Sequence, residues 1–442
     1  MIYHQITELI GNTPLLRIDP KIHGLVNIDL YAKLEYLNPF GSVKDRVAWG
    51  MLKDDLASLQ SKQQTVLEMS SGNTAKALQV IASIYGIPFK TITNRIKVTE
   101  QKAILKILGA QIEELPGSSD CHDPYDPNDP LVFIQKELKN NGNRYFFTSQ
   151  YSNPKNIDSH YETTGAELLA DLPRIDYLFG GLGTTGSTRG TAMRIQERDK
   201  DLQAIGICAT KRDYIPGIRN QDEVLEVGLF DPKFYKEIVY TSSQEAVEGM
   251  LTLSKRLGVL GGPTSGACYE GALKHLRTID ADFKERKTAV FIVCDRLEWY
   301  VSYIRERRPE LFGEGVIRDS IESLSFEEVE NAPTLVLEES REWIEKNHPL
   351  IIDMRGHQSF HLAHIAGSTN IPESLLRVLV EGTRPFAQSQ QLLFVCPRGE
   401  QSKKYAAYLT KKGYSAFNLD KGLLGWREKN MSLESLICGD VG

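Results

Sequence analysis

Over the first three hundred residues, short apolar, β-rich runs alternate with stretches of helical pattern. Thr65 to Glu68 precedes a helical stretch over Thr74 to Tyr85, Phe89 to Thr93 precedes Thr99 to Leu108, and Tyr177 to Phe179 precedes Ser187 to Arg198. Repetition of strand then helix predicts an α/β fold of parallel sheets covered on both faces. Further along, Leu350 to Asp353, Leu392 to Cys396 and Ala416 to Leu419 have strand character, with a helical stretch over Ser402 to Lys412. These predict a second, smaller α/β domain. No internal repeat or low-complexity tract interrupts the pattern.

Length and charge suggest where the chain divides. A chain of 442 residues has room for several domains, about 100–200 residues each. Residues 309 to 340 hold nine acids against the single base Arg318, net −8, while residues 341 to 442 are net +3 and residues 1 to 308 net −1. The expected organisation is a large domain over 1–308, an acidic linker over 309–340 and a small domain over 341–442. The acidic stretch also reads as a solvated helix face capping the first domain, with Leu324-Ser325-Phe326 packing locally.

The overall charge of −6 and the lack of a basic stripe argue against nucleic acid as a partner. No apolar run approaches the roughly 18 residues of a membrane-crossing helix. Met1-Ile2-Tyr3-His4-Gln5 lacks the layout of a signal peptide, so the expected location is the cytoplasm. Six dispersed cysteines (Cys121, Cys208, Cys268, Cys294, Cys396, Cys438) include no Cys-x-x-Cys pair. They are expected to be reduced thiols, and no metal site is expected.

Three glycine-containing strings carry candidate chemistry. In Asn38-Pro39-Phe40-Gly41-Ser42-Val43-Lys44-Asp45-Arg46, a Pro/Gly turn leads into a helix with Lys44 in its first turn. The positive end of the helix dipole and burial both disfavour an ammonium there, and a neutral lysine is a nucleophile. Taken alone, Lys44 reads first as an ordinary solvated helix lysine. The second string, Ser70-Ser71-Gly72-Asn73-Thr74, joins a strand to a helix and offers hydroxyls, an amide and free backbone N–H groups to an anionic oxygen. A helix cap is the simpler reading of those residues. The third, Gly180-Gly181-Leu182-Gly183-Thr184-Thr185-Gly186-Ser187, also joins strand to helix, with glycines that let N–H groups converge on a phosphate. It matches neither the dinucleotide spacing nor the ending of a P-loop.

The order of lysine, Asn loop and phosphate loop, followed by Gly261-Gly262-Pro263-Thr264-Ser265-Gly266 and preceded by Gly11-Asn12-Thr13-Pro14-Leu15, resembles the fold-type II pyridoxal-phosphate enzymes of the cysteine synthase group over about residues 1 to 305. The resemblance implies two parallel-sheet α/β subdomains, pyridoxal 5'-phosphate as cofactor and a homodimer. It implies Lys44 as the Schiff-base lysine and proton shuttle, Asn73 on the cofactor's ring oxygen, and Gly183, Thr184, Thr185, Gly186 and Ser187 around its phosphate. Thr264 falls on the pyridine nitrogen, where a neutral hydroxyl favours β-elimination and replacement. Ser70, Ser71, Gly72, Thr74 and Gln150 are implied as substrate-binding. Ser70, Ala75, Lys76 and Thr264 depart mildly from the family pattern, Lys76 standing where an apolar residue is usual.

Gln150-Tyr151-Ser152-Asn153-Pro154 running to Asp158-Ser159-His160-Tyr161, together with Ile218-Arg219-Asn220-Gln221-Asp222-Glu223, resembles the O-phosphoserine-using sulfhydrylases. A guanidinium at Arg219 would grip a leaving phosphate through paired, charge-assisted hydrogen bonds. The alternative, a surface arginine, is disfavoured by the paired Arg219-Asn220 context. Asp295-Arg296-Leu297-Glu298-Trp299-Tyr300 partly resembles enzymes of diaminopropionate pathways, which also use O-phosphoserine but take an amine.

In the small domain, Cys396-Pro397-Arg398-Gly399-Glu400-Gln401-Ser402 follows a strand and precedes a helix, so backbone N–H groups and the helix dipole would favour a persulfide anion. A cysteine ending a buried strand is also ordinary packing. With Ile352-Asp353-Met354-Arg355, His364-Ile365-Ala366-Gly367-Ser368 to Asn370-Ile371-Pro372, and Gly422 to Trp426-Arg427, it resembles a rhodanese domain over about 335 to 430, with Cys396 carrying the sulfane sulfur. Pro397 and Gln401 stand where many members have arginines, which reduces cationic help in binding thiosulfate.

The expected function is β-replacement on O-phosphoserine giving cysteine or a sulfur derivative, sulfur being supplied or relayed by Cys396, with a sulfur-carrier protein as a candidate partner. The alternatives are an amine nucleophile such as glutamate, or a sulfur-relay or redox-sensing module without turnover.

Overall fold

The computed structural model describes residues 2–93, 96–115, 128–211, 213–221, 223–313, 320–383 and 385–436. Met1, Cys121, Cys438, Asp222, Glu314, Arg318 and Asp319 of the strings above lie outside them. The chain forms two compact units, one of residues 1–92, 96–113 and 141–312, the other of 93–95, 114–140 and 313–442.

The larger sheet of the first unit runs in the order Leu15–Arg17, Ile28–Lys33, Lys287–Ile292, Tyr177–Gly181, Gln203–Ala209, Glu237–Thr241. Only the outermost pair, Leu15–Arg17 with Ile28–Lys33, is antiparallel. Its inner strands are buried nearly throughout, as strands covered by helices on both faces must be. A smaller sheet has the order Gln111–Glu114, Phe89–Thr93, Thr65–Glu68, Tyr145–Phe147, and Thr65–Glu68 is parallel to both of its neighbours. The expected strand–helix pairs are all present, with ends displaced by one or two residues: the helices run Asn73–Ile84, Thr99–Ile107 and Gly186–Gln196. In such sheets the loops leaving the carboxyl ends of strands build sites. The loops 69–72 and 182–185 both leave such ends.

The helix Lys44–Leu52 is held by a buried charge network. The Arg46 guanidinium donates to Glu35 through Nε to Oε2 at 2.7 Å and Nη2 to Oε1 at 2.8 Å, and to Glu167 through Nη1 to Oε1 at 2.5 Å and Nη2 to Oε2 at 2.8 Å. The Lys33 ammonium closes the group on Glu167 Oε2 at 2.8 Å and on the Thr13 carbonyl at 2.6 Å. Burial opposes ionisation of Glu35, but the Arg46 charge and the Arg46 and Thr13 hydrogen bonds outweigh it and bring the carboxyl down to about 2.

In the second unit the sheet runs Thr334–Leu335, Ser415–Leu419, Gln391–Val395, Leu350–Asp353, Thr369–Asn370, every pair parallel. Successive residues serve opposite faces. Ile352 and Phe394 enter one core with Leu376 and Tyr405, while Ile351 and Leu393 enter another with Leu337 and Trp426. The acidic stretch carries structure of its own, because apolar residues punctuate its charges. Ile321 joins the core of Ile352 and Phe394, Val329 and Ala332 pack on Ala406 and Ala407, and Ser325 and Glu328 form a capping box. Glu328 and Glu330 pair with Lys411 and Lys403 at 2.7 and 3.2 Å.

Removing one partner of a buried pair strands the other charge, at a cost of about 3–5 kcal/mol. Glu35→Gln is therefore expected to lower stability at pH 7 by that amount. Because the Glu35 carboxyl is depressed in the folded state, its contribution is complete above the unfolded value of 4.5 and is lost as pH falls towards 2. Urea midpoints measured from pH 6 to 3 should fall more steeply in the wild type than in Glu35→Gln.

Candidate functional site

Lys44 opens its helix, and the Ser42 hydroxyl accepts its backbone N–H at 3.2 Å. The preceding turn is pinned by Asp45, whose carboxylate accepts the Phe40 N–H at 2.6 Å. Gly41 has φ +86°, and a Cβ there would lie 2.7 Å from the Trp299 ring, so only glycine suits the turn. The Lys44 Nζ reaches the Thr184 Oγ1 of the glycine-rich loop at 3.4 Å. Burial holds its ammonium below the ordinary lysine value, against the pull of Cys294 and Asp295.

From Thr184 a line of hydrogen bonds runs back to the Asn loop. Asn156 Nδ2 donates to Thr184 Oγ1 at 2.9 Å and to the Gln150 carbonyl at 2.8 Å, and the Thr74 hydroxyl donates to Gln150 Oε1 at 2.7 Å. Lys44, Thr74, Gln150 and Thr184, drawn from four separate strings, thus meet. The rest of the glycine-rich loop is shaped by close approach: a Cβ on Gly183 would lie 2.3 Å from the Gly217 carbonyl oxygen. Thr185 takes the left-handed conformation at φ +67°, with its hydroxyl on the Leu229 carbonyl at 3.1 Å. Ser187 is buried in the first turn of the helix begun by Gly186.

Asn73 is held by other partners. Its Nδ2 donates to Asp295 Oδ2 at 2.6 Å and to the Tyr300 hydroxyl at 3.3 Å, and Tyr300 also donates to Asp295 Oδ2. Burial pushes the Asp295 carboxyl up to about 6, partly offset by those hydrogen bonds and by Lys76 and Lys44. Ser70 Oγ accepts the Gly72 N–H at 3.4 Å, and its carbonyl accepts the Thr91 hydroxyl, while Ser71 and Gly72 are half-buried. Thr264 is buried and donates to the Pro216 carbonyl.

Arg219 stands at the rim of the glycine-rich loop, its N–H on the Leu182 carbonyl at 2.9 Å. Its guanidinium lies 5.0 Å from the Tyr151 ring centroid and 3.6 Å from Glu223. The two strings read as O-phosphoserine-like therefore touch. Sequence reasoning missed Asn156 as the bridge and Asp295 and Tyr300 as partners of Asn73. A buried Asp at a strand end was the available signal for Asp295, but its partner lies 222 residues away.

The second unit presents its own site. The strand ends at Val395, so Cys396 is the first residue beyond it, nearly fully buried. Its Sγ accepts the Gly399 N–H at 3.2 Å and the Ser402 N–H at 3.4 Å, with the Ser402 hydroxyl at 3.1 Å. That hydroxyl also reaches Asn418 Oδ1 at 2.6 Å. Asp353 and Arg355 form a buried pair, and Asn370 donates to both of their carbonyls.

Residues 6–295 match the family of pyridoxal-phosphate dependent enzymes, and residues 336–429 match the rhodanese-like domain. The chain belongs to the pyridoxal-phosphate dependent enzymes of fold type II, uses pyridoxal phosphate, and carries a rhodanese-like domain after the enzyme domain. Among relatives it is similar to the cysteine synthase of Aquifex aeolicus, 28% identical over 303 residues, covering 67% of this chain and 90% of that protein. It is 30% identical over 316 residues to the cystathionine beta-synthase of Apis mellifera, covering 68% of this chain and 61% of that protein. A solved structure, the O-acetylserine dependent cystathionine beta-synthase from Helicobacter pylori, matches with a TM-score of 0.58 at 25% identity, over 68% of this chain and 98% of that one. No helix among the described residues is long and apolar enough to cross a membrane.

The residues present fit the coenzyme. A desolvated lysine, a helix N-terminus flanked by the hydroxyls of Thr184, Thr185 and Ser187, and glycines that let the loop pack closely on Gly217 and Asn156 suit an aldehyde that bears a phosphate. Borohydride treatment of the holoenzyme followed by peptide mapping should place the coenzyme on the Lys44 peptide. Lys44→Ala should give no labelled peptide.

Proposed function

We propose that the protein catalyses β-replacement on O-phosphoserine, with sulfur as the incoming nucleophile and Cys396 as its carrier. When bound, pyridoxal phosphate supplies an electron sink for the charge left at the substrate Cα. Lys44 would hold the coenzyme aldehyde, Asn73 its ring oxygen, and Gly183, Thr184, Thr185, Gly186 and Ser187 its phosphate. For Thr264 to serve the ring nitrogen, its hydroxyl must exchange the bond to the Pro216 carbonyl. Ser70, Ser71, Gly72, Thr74 and Gln150 would hold the substrate carboxylate. The Lys44 Nζ, whose pKa burial lowers, would take the Cα proton as the Cβ–O bond breaks and phosphate departs with the electron pair. Sulfur then adds at Cβ, and Lys44 returns the proton to Cα.

The observation that carries the choice of leaving group is Arg219, whose backbone N–H is anchored on the glycine-rich loop and whose guanidinium lies over the Tyr151 ring. Its planar fork matches a phosphate, and Glu223 lies 3.6 Å from it. An acetate leaving group makes no comparable demand. Cys396, with two N–H groups and a hydroxyl around its sulfur, supports the second half of the proposal. Its thiolate would take a sulfane sulfur from a donor such as thiosulfate, releasing sulfite. A small-molecule thiol attacking the Cys396 sulfur would then release the outer sulfur as hydrosulfide, the nucleophile for Cβ, and a second equivalent of thiol would reduce the resulting mixed disulfide, giving back the Cys396 thiol and a disulfide of the reductant. The domain limits 1–308 and 341–442, a homodimer, a cytoplasmic location and a sulfur-carrier partner belong to the same reading.

Arg219→Ala is expected to lower kcat/KM for O-phosphoserine by about 10- to 100-fold, the worth of a charged hydrogen-bond pair at about 1.5–3 kcal/mol, and to affect O-acetylserine turnover far less. Equal losses with the two esters would refute the phosphate role. In the second unit, cyanolysis of enzyme treated with thiosulfate should release thiocyanate from the wild type and none from Cys396→Ala.

A further inference from the structure

Asn156 is a buried amide to which the reaction above gives no task. It is 0% exposed and lies in the first turn of the helix Lys155–Glu162. Two close approaches fix its place. A Cβ on Gly190 would lie 2.2 Å from the Ile157 carbonyl oxygen, and one on Gly186 would lie 2.2 Å from Asn156 Oδ1. The helix Lys155–Glu162 is thus in close contact with the helix Gly186–Gln196. The amide is wedged where the glycine-rich loop turns into helix, and an interior packed in this way leaves it little freedom to swing.

The hydrogen bonds of that amide decide its orientation. Nδ2 donates to the Gln150 carbonyl at 2.8 Å and to Thr184 Oγ1 at 2.9 Å. A carbonyl only accepts, so the Gln150 oxygen excludes the flipped amide, in which two oxygens would face each other. Oδ1 is left against Gly186, with no hydrogen-bond partner among the described residues. Both Nδ2 hydrogens are therefore engaged, and the second obliges Thr184 Oγ1 to accept. A hydroxyl that accepts there keeps its own hydrogen for another partner. The Lys44 Nζ is its neighbour at 3.4 Å, and that amine is committed once it holds the coenzyme aldehyde.

We propose that Asn156 is a positioning residue for the coenzyme phosphate: by occupying a lone pair of Thr184 Oγ1 it presets that hydroxyl as a donor to the phosphate. Without the amide the hydroxyl rotates freely and donates to the phosphate for only part of the time. The inference rests on the placement of the phosphate at Gly183 to Ser187 and deepens it by naming what holds one of the donors.

The experiment titrates full-length protein, resolved from its coenzyme, with pyridoxal phosphate and separately with pyridoxal, which has the aldehyde and lacks the phosphate. Binding is read from the visible absorbance and from borohydride trapping on Lys44. Thr184→Val removes the hydroxyl and Asn156→Leu the amide donor, each at nearly constant shape. The Kd for pyridoxal phosphate should rise by about tenfold or more in both, the worth of a hydrogen bond to a charged group, and the Kd for pyridoxal by less than about twofold. Thr184→Ser keeps the hydroxyl and should bind pyridoxal phosphate as the wild type does. In the double variant the rise should match that of Thr184→Val alone, since Asn156 acts through that hydroxyl. Equal weakening of both aldehydes by Asn156→Leu is the result of a merely structural role and would overturn the proposal. Additive losses in the double variant, or unchanged affinity in Asn156→Leu beside a loss in Thr184→Val, would overturn the role of Asn156 and leave the phosphate where it is placed. If Thr184→Val binds pyridoxal phosphate like the wild type, the placement at Thr184 falls together with the proposal.

Discussion

The buried charge group around Arg46 is the constraint on which the enzyme domain depends. One guanidinium binds two carboxylates, Glu35 and Glu167, and Lys33 balances the second of them. These residues belong to the turn after the strand Ile28–Lys33, to the helix Lys44–Leu52, to the helix Thr164–Asp171 and to the strand itself. Charges out of water tolerate little displacement, since each lost partner leaves a full desolvation cost behind. Arg46 stands two residues after Lys44, so the same geometry that satisfies the guanidinium fixes where the lysine amine emerges. The Gly11–Pro14 segment is drawn in as well, through Thr13 on Glu35 and the Asn12 N–H on Glu167.

On that frame the site is assembled by loops with different tasks. The glycine-rich loop is narrow because the Gly217 carbonyl presses against Gly183, and its helix begins where Thr185 adopts a left-handed conformation. The line Thr184, Asn156, Gln150, Thr74 couples that loop to the Asn loop by hydrogen bonds between buried groups, which hold orientation better than surface contacts do. Asn73, next to Thr74, is positioned by different partners, Asp295 and Tyr300. The Cys396 site repeats the principle on a smaller scale: a strand ends, a thiol follows, and the first turn of the next helix turns its N–H groups on the sulfur.

Much of this was legible in the chain. Alternating strand and helix patterns declared two α/β units, because period-2 and period-3.6 burial leave their mark in local composition. Lys44, the Asn loop, the glycine-rich loop and Cys396 all stand at strand–helix junctions that turn chemistry identifies. The acidic stretch 309–340 was legible as a charge bias, yet its sparse apolar positions, Ile321, Val329 and Ala332, are packed into cores, which charge counting weighs poorly.

What the tertiary structure alone decided is which residues meet. Asn73 and Asp295 are 222 positions apart, Arg46 and Glu167 are 121, and Lys44 and Thr184 are 140. A contact at such separation leaves no periodic trace, since it depends on how sheets stack and loops close rather than on neighbouring side chains. The same is true of Lys76, which in the chain is one more lysine on a helix and in the fold is buried against the Trp299 ring. The sequence by itself determined the elements, the class of coenzyme chemistry and the junctions where it sits. Three-dimensional closure determined the charge partners, because desolvation, which sets their strength, exists only once the chain has folded.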